Sequence, residues 1–74
     1  MTATAGEAVY VTVNGEARRV AAGTSIAALL AELGLTDRPC AVEIDRELVP
    51  RSEHATRRLA GAERIEIVSF VGGG

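Results

Sequence analysis

Ile26, Leu29, Leu30 and Leu33 fall at i, i+3, i+4 and i+7, which places four large apolar side chains on one face of a helix. That stripe constrains the fold more than any other feature of the chain. A helix with one apolar face must be covered, and the sequence supplies strands to cover it. Gly23 breaks the chain before the helix, Thr24 or Ser25 is suited to cap it, and Gly34 offers a stop after about ten residues. The alanines at 27, 28 and 31 favour the helix and permit close packing.

The strands are read from alternation. Val9 to Val13 alternates with period two and is followed by Asn14-Gly15, the residue pair of a tight hairpin. Glu16 to Ala21 is then the return strand, with Val20 inward and an open register because of Arg18 and Arg19, which suit an edge. After Pro39, Cys40, Val42 and Ile44 alternate with Ala41, Glu43 and Asp45. Leu48-Val49 offers a short strand that Pro50 ends. Ser52 to Leu59 has room for a helical turn, Gly61 begins the last turn, and Arg64 to Phe70 reads as a final strand with Ile65 and Ile67 on one face. The expected architecture is α+β: a mixed sheet of four to five strands packed on one helix. Residues 1–8 read as a disordered leader, 9–70 as the domain and 71–74 as a flexible glycine tail.

Composition limits the functions such a domain can have. With 74 residues, of which 47% are hydrophobic but thirteen are alanine, there is one small core and little room for an interior active site. Eight arginines against ten acids give a net charge of -2, which lacks the basic field that nucleic acid requires. No apolar run approaches the length of a membrane span, and the first residues do not resemble a signal peptide. A single cysteine and a single histidine exclude an internal disulfide and a Cys/His metal cluster. The expected setting is therefore cytoplasmic. Cys40 reads as a small core side chain, His54 as a surface residue in a polar turn, and Glu43, Asp45, Glu47 and Glu53 as a solvated surface mixed with Arg46 and Arg51. No catalytic constellation emerges, and an autonomous enzyme is not expected.

The chemistry is sought instead at Gly72-Gly73-Gly74. A tail without side chains can lie in a narrow channel of another protein and present the Gly74 carboxylate there; it can equally be a terminus of no consequence. A carboxylate is a poor electrophile until it is activated, for instance as a mixed anhydride with AMP. Beside the tail, Val68 and Phe70 occupy the strand face opposite Ile65 and Ile67. They are either covered within the domain or, with Val71, form a docking patch for a partner.

Several stretches together resemble the ubiquitin-like β-grasp sulfur carriers, and in particular the thiamine-biosynthesis (ThiS) branch. They are Val13-Asn-Gly-Glu16, Gly23-Thr-Ser-Ile26 with Leu29-Leu30, Val42 through Arg51, and Arg64 through Gly74. The resemblance implies a β-grasp fold with the first and last strands side by side. It implies that Gly74 is adenylated by an adenylyltransferase of the ubiquitin-activating type, and that sulfur from a cysteine desulfurase or other persulfide donor replaces AMP. The resulting thiocarboxylate would serve thiazole synthase. ATP enters through the partner, and no cofactor is expected on the chain itself. Gly73 and Gly74 match the obligatory ending of the family, Gly72 lies beyond it, and Asp45 stands where relatives often carry Asn. The small subunit of molybdopterin synthase, a carrier serving cysteine synthesis, a ubiquitin-like modifier and a plain binding module are the competing readings. The absence of lysine excludes only lysine-linked chains of the protein itself.

Overall fold

The computed structural model describes residues 7–70. Residues 1–6 of the leader expected at 1–8 lie outside them, as do the tail residues Val71, Gly72, Gly73 and Gly74, while Ala8, expected in the leader, belongs to a strand. Five strands and one helix follow in the order β1 (Ala8–Val13), β2 (Glu16–Ala21), α1 (Ile26–Glu32), β3 (Cys40–Ile44), β4 (Glu47–Val49) and β5 (Arg64–Ser69), with a 3₁₀ turn at Arg51–Glu53. The sheet order is β2-β1-β5-β3-β4. β1 begins at Ala8, one residue before the alternation at Val9 becomes visible in the sequence.

Each hairpin pairs its own strands, and β5 joins the two hairpins. β1 runs antiparallel to β2 from Ala8↔Ala21 to Val13↔Glu16, and β3 runs antiparallel to β4 from Val42↔Val49 to Ile44↔Glu47. β5 lies between them, parallel to β1 through Thr12↔Arg64 and Val13↔Ile65, and antiparallel to β3 from Cys40↔Ser69 to Ile44↔Ile65. The neighbouring first and last strands that the family resemblance implies are thus present. The open register of the second strand closes with Arg18 opposite Val11, on the same side as Val9↔Val20. Arg18 therefore starts from the inner face of an edge strand and reaches Glu32 of α1 at 3.5 Å, where its charge also guards the edge against further pairing.

Strand alternation directs Val11, Val13, Val42, Ile44, Val49, Ile65 and Ile67 to one side, where they meet Ile26, Leu29 and Leu30 of α1 and Leu59. Ile26, Leu29, Val42 and Ile65 are wholly buried, and each such burial contributes about 1.5–3 kcal/mol. The helix is shorter than its apolar stripe suggests. It ends at Glu32 with Leu33 as C-cap, and Gly34 follows at φ 76, a left-handed position where glycine carries no side-chain penalty.

The segment after β4 bears out one expectation and corrects another. The helical turn expected within 52–59 is present, starting one residue earlier as a 3₁₀ turn at Arg51–Glu53 and closing with Arg57 N–H on the Glu53 carbonyl at 2.8 Å, and the backbone beyond it packs across the start of α1. There the Ser25 hydroxyl accepts from Ala28 N–H at 3.0 Å, while the carbonyls of Arg57 and His54 accept from Ile26 N–H at 3.1 Å and Ala27 N–H at 2.8 Å. Three donors that a helix start leaves without partners are satisfied in this way. Leu59 follows into the core, with its N–H on the Thr24 carbonyl at 2.8 Å. His54 is consequently a buried residue, 8% exposed, and not a surface one. Its position is fixed by the backbone that caps the helix, and its ring lies against the Val49 carbonyl.

Candidate functional site: the outer sheet face beside the tail

Directly opposed residues on paired strands share a face, so the ladder defines what stands on the side of the sheet away from α1. Val68 opposes Ala41, Glu66 opposes Glu43, and Glu43 opposes Leu48. Val68, Ala41 and Leu48 therefore share the outer face with Glu43 and Glu66. Phe70 continues that alternation one step past β5, and its N–H donates to the Pro39 carbonyl at 2.9 Å. Val68 is 56% exposed, Phe70 54% and Leu48 66%. Of the two possibilities the sequence leaves open for Val68 and Phe70, it is the uncovered one that the domain adopts. Arg64 and Glu66 form a loose ion pair at 3.6 Å lower on the strand, so along β5 the apolar part of the face is the end nearest the tail, with Leu48 on β4 level with Glu66.

Leu48 is the member of this face that the sequence reading does not single out. Its signal is a phase difference, because Val49 pairs inward with Val42 and its neighbour must point outward. Tyr10 is also exposed, but the parallel register of β1 with β5 sets it at the level of residue 62. Six residues along the strand separate it from Val68, on the order of 20 Å. Tyr10 therefore stands apart from the patch.

Of the other residues singled out in the sequence, Glu43 shares this face, whereas Cys40 and Asp45 are engaged elsewhere. Cys40 is half-buried, packed against the core, with its thiol donating to the Arg38 carbonyl at 3.5 Å. Asp45 sits at φ 51 in the β3–β4 turn and accepts from Arg64 N–H at 2.9 Å, a structural use of its carboxylate. No group of three or more His, Cys, Asp or Glu side chains is placed to hold a metal ion among the described residues. Nor is any helix among them long and apolar enough to cross a membrane. Val71, Gly72, Gly73 and Gly74, which the sequence names for docking and chemistry, lie beyond Phe70 and outside the described residues.

A five-stranded mixed sheet folded over one helix, with its last strand central and continuing into a glycine tail, defines a ubiquitin-like β-grasp protein. The ThiS family model matches residues 11–74, and the chain belongs to the ThiS family. The crystal structure of the thiamine biosynthesis protein ThiS from Geobacter metallireducens superposes with a TM-score of 0.74 at 26% identity, covering 89% of this chain and 100% of that one. Among curated proteins, a thiazole synthase from Paramagnetospirillum magneticum is 44% identical over 62 residues, which is 84% of this chain and 19% of that protein. A thiazole synthase from Magnetococcus marinus is 38% identical over 61 residues, or 82% of this chain and 19% of that protein. The chain thus spans about a fifth of the length of these two relatives.

Proposed function

We propose that the chain is a sulfur carrier for thiazole formation in thiamine biosynthesis, loaded at the carboxylate of Gly74. The observation that carries this reading is the ThiS family match, which runs through Gly74 itself. The two relatives named thiazole synthase support that enzyme as the acceptor, in preference to molybdopterin synthase or a lysine-bearing target. The chain acts as a cosubstrate of its partners.

In the form that ends on Gly74, an adenylyltransferase of the ubiquitin-activating type joins the carboxylate to AMP and releases pyrophosphate from ATP. The terminal sulfur of a persulfide, carried by a cysteine desulfurase or a similar donor, attacks the activated carbonyl, and AMP leaves. A second thiol cleaves the S–S bond of the resulting acyl disulfide, forming a new disulfide with the donor cysteine and leaving a thiocarboxylate. Thiazole synthase then takes the sulfur. Gly73 and Gly72 keep the approach to Gly74 free of side chains, while Val68, Phe70 and Val71 dock the partner beside it.

Incubation with the activating enzyme, ATP and a sulfide donor, followed by intact-mass measurement, tests the chemistry. The expected product has one oxygen exchanged for sulfur. Deleting Gly74, or adding one residue after it, should abolish loading while the domain stays folded; normal loading of either variant overturns the assignment. Ladders of conjugates would show a protein modifier instead. Docking is tested separately by Phe70→Ala, which should weaken partner binding by about 1–3 kcal/mol; unchanged affinity removes Phe70 from the interface.

A further inference from the structure

On the helix side of the sheet, a pocket of about 220 Å³ opens between α1, the loop that follows it and the 3₁₀ turn. Leu30 and Leu35 form part of its apolar wall, and Arg38, Arg51, His54 and Thr36 supply polar lining; no carboxylate lines it. The chain has more acids than bases, so a basic pocket is a local arrangement and not a consequence of composition. Neither Arg38 nor Arg51 forms an ion pair with another described residue, whereas Arg18, Arg57 and Arg64 each do. Arg38 and Arg51, from separate segments, thus line one cavity that has no carboxylate among its lining residues.

His54 is the buried polar member of this lining, 8% exposed. Its Nε2 lies 3.3 Å from the Val49 carbonyl oxygen. A carbonyl can only accept, so Nε2 is the nitrogen that carries hydrogen here, and Nδ1 is left without a hydrogen-bond partner among the described residues. The ring is held by the fold at one end, and at the other its Nδ1 lone pair can accept from a ligand hydroxyl. We infer that this pocket binds a small organic phosphate. Arginine forks match phosphate oxygens in bidentate geometry, the Thr36 hydroxyl adds a donor, and Leu30 and Leu35 cover a short carbon skeleton. The volume is below the roughly 300–1,000 Å³ of pockets for drug-sized ligands, which restricts the ligand to a few heavy atoms. The site lies on the opposite side of the sheet from the docking face and goes beyond the carrier reading.

Titration of the full chain with glycerol 3-phosphate at constant ionic strength, followed by nuclear magnetic resonance, tests the site. His54 is the only histidine in the sequence, so its imidazole signals report without overlap. They should shift saturably together with the Thr36 and Ala55 amides, with half-saturation at about 1 mM, and glycerol should produce no shift. Arg38→Ala and Arg51→Ala should each raise the half-saturation point at least about tenfold. Arg19→Ala, an exposed arginine on edge strand β2, should leave it unchanged. Failure to saturate, or equal weakening by Arg19→Ala, overturns the site. Inorganic phosphate binding as tightly as glycerol 3-phosphate overturns the role assigned to Leu30 and Leu35.

Discussion

The chain reverses itself in two tight hairpins, at Asn14-Gly15 and at Asp45-Arg46, and in both the first turn residue reaches across to β5. Asn14 and Asp45 have nearly the same backbone, φ 50 and φ 51, and each donates its backbone N–H to a β5 carbonyl at 2.8 Å, Asn14 to Ile65 and Asp45 to Arg64, but their side chains differ in what they add. The carboxamide of Asn14 donates to the Ile67 carbonyl at 3.1 Å and accepts from Ile67 N–H at 2.8 Å. It thereby continues the short β1–β5 ladder where backbone pairing stops. Asp45 binds Arg64 in a mixed way, its backbone N–H donating to the Arg64 carbonyl at 2.8 Å and its side chain accepting from Arg64 N–H at 2.9 Å. One turn braces the middle of β5 and the other its beginning. The difference teaches that an amide side chain, with both a donor and an acceptor, can stand in for a strand residue and reach one step further along β5, whereas a carboxylate can only accept and so shares Arg64 with its own backbone.

The strongest way to break this arrangement is to remove the residue both hairpins share. Ile65 opposes Val13 on one side and Ile44 on the other and is wholly buried. Ile65→Ala should cost about 2–5 kcal/mol in urea unfolding, and a loss confined to one hairpin by hydrogen exchange would contradict its position at the seam. Next in size is Asn14→Ala, which leaves the part-buried N–H and C=O of Ile67 unmatched and should cost about 1–3 kcal/mol. Asp45→Ala removes a single exposed acceptor and should cost less; equal losses for the two would erase the distinction drawn here. The smallest effect concerns the second turn residues, Gly15 at φ 87 and Arg46 at φ 73. A side chain in this region is penalised by roughly 1–2 kcal/mol, partly offset by the extra freedom glycine gives the unfolded chain. Arg46→Gly should therefore raise stability by a few tenths of a kcal/mol to about 1 kcal/mol, measured as a higher urea midpoint.

What the sequence discloses follows the range of the interaction. The first hairpin, the helix and the alternation of Cys40, Val42 and Ile44 are local patterns, and each appears where the pattern places it, except that the helix stops at Glu32, before the last residue of its stripe. The parallel contact of β1 with β5 joins residues some fifty positions apart, so no periodicity encodes it; it came from the family resemblance. Asn14 is hidden by its own neighbour, since Asn-Gly already accounts for a turn and gives no sign that the carboxamide is engaged at Ile67. His54 looks like a surface residue because Arg51, Ser52 and Glu53 precede it. Its burial results from the need to satisfy the first N–H groups of α1, which is a property of the assembled helix. On the outer face, Val68 and Phe70 are legible from phase alone, whereas Leu48 requires knowing that Val49 is the inward residue of its strand.

β5 is held by a neighbour on each flank, and its exit at Phe70 is still tied to the Pro39 carbonyl. A tug on the polypeptide beyond that point runs along the strand axis and loads these lateral bonds together in shear, so the root of the tail does not peel away one bond at a time. Were a partner to pull on the chain beyond Phe70, as the proposed function requires, the load would be spread over the sheet behind it, and the domain would act as a mechanical anchor.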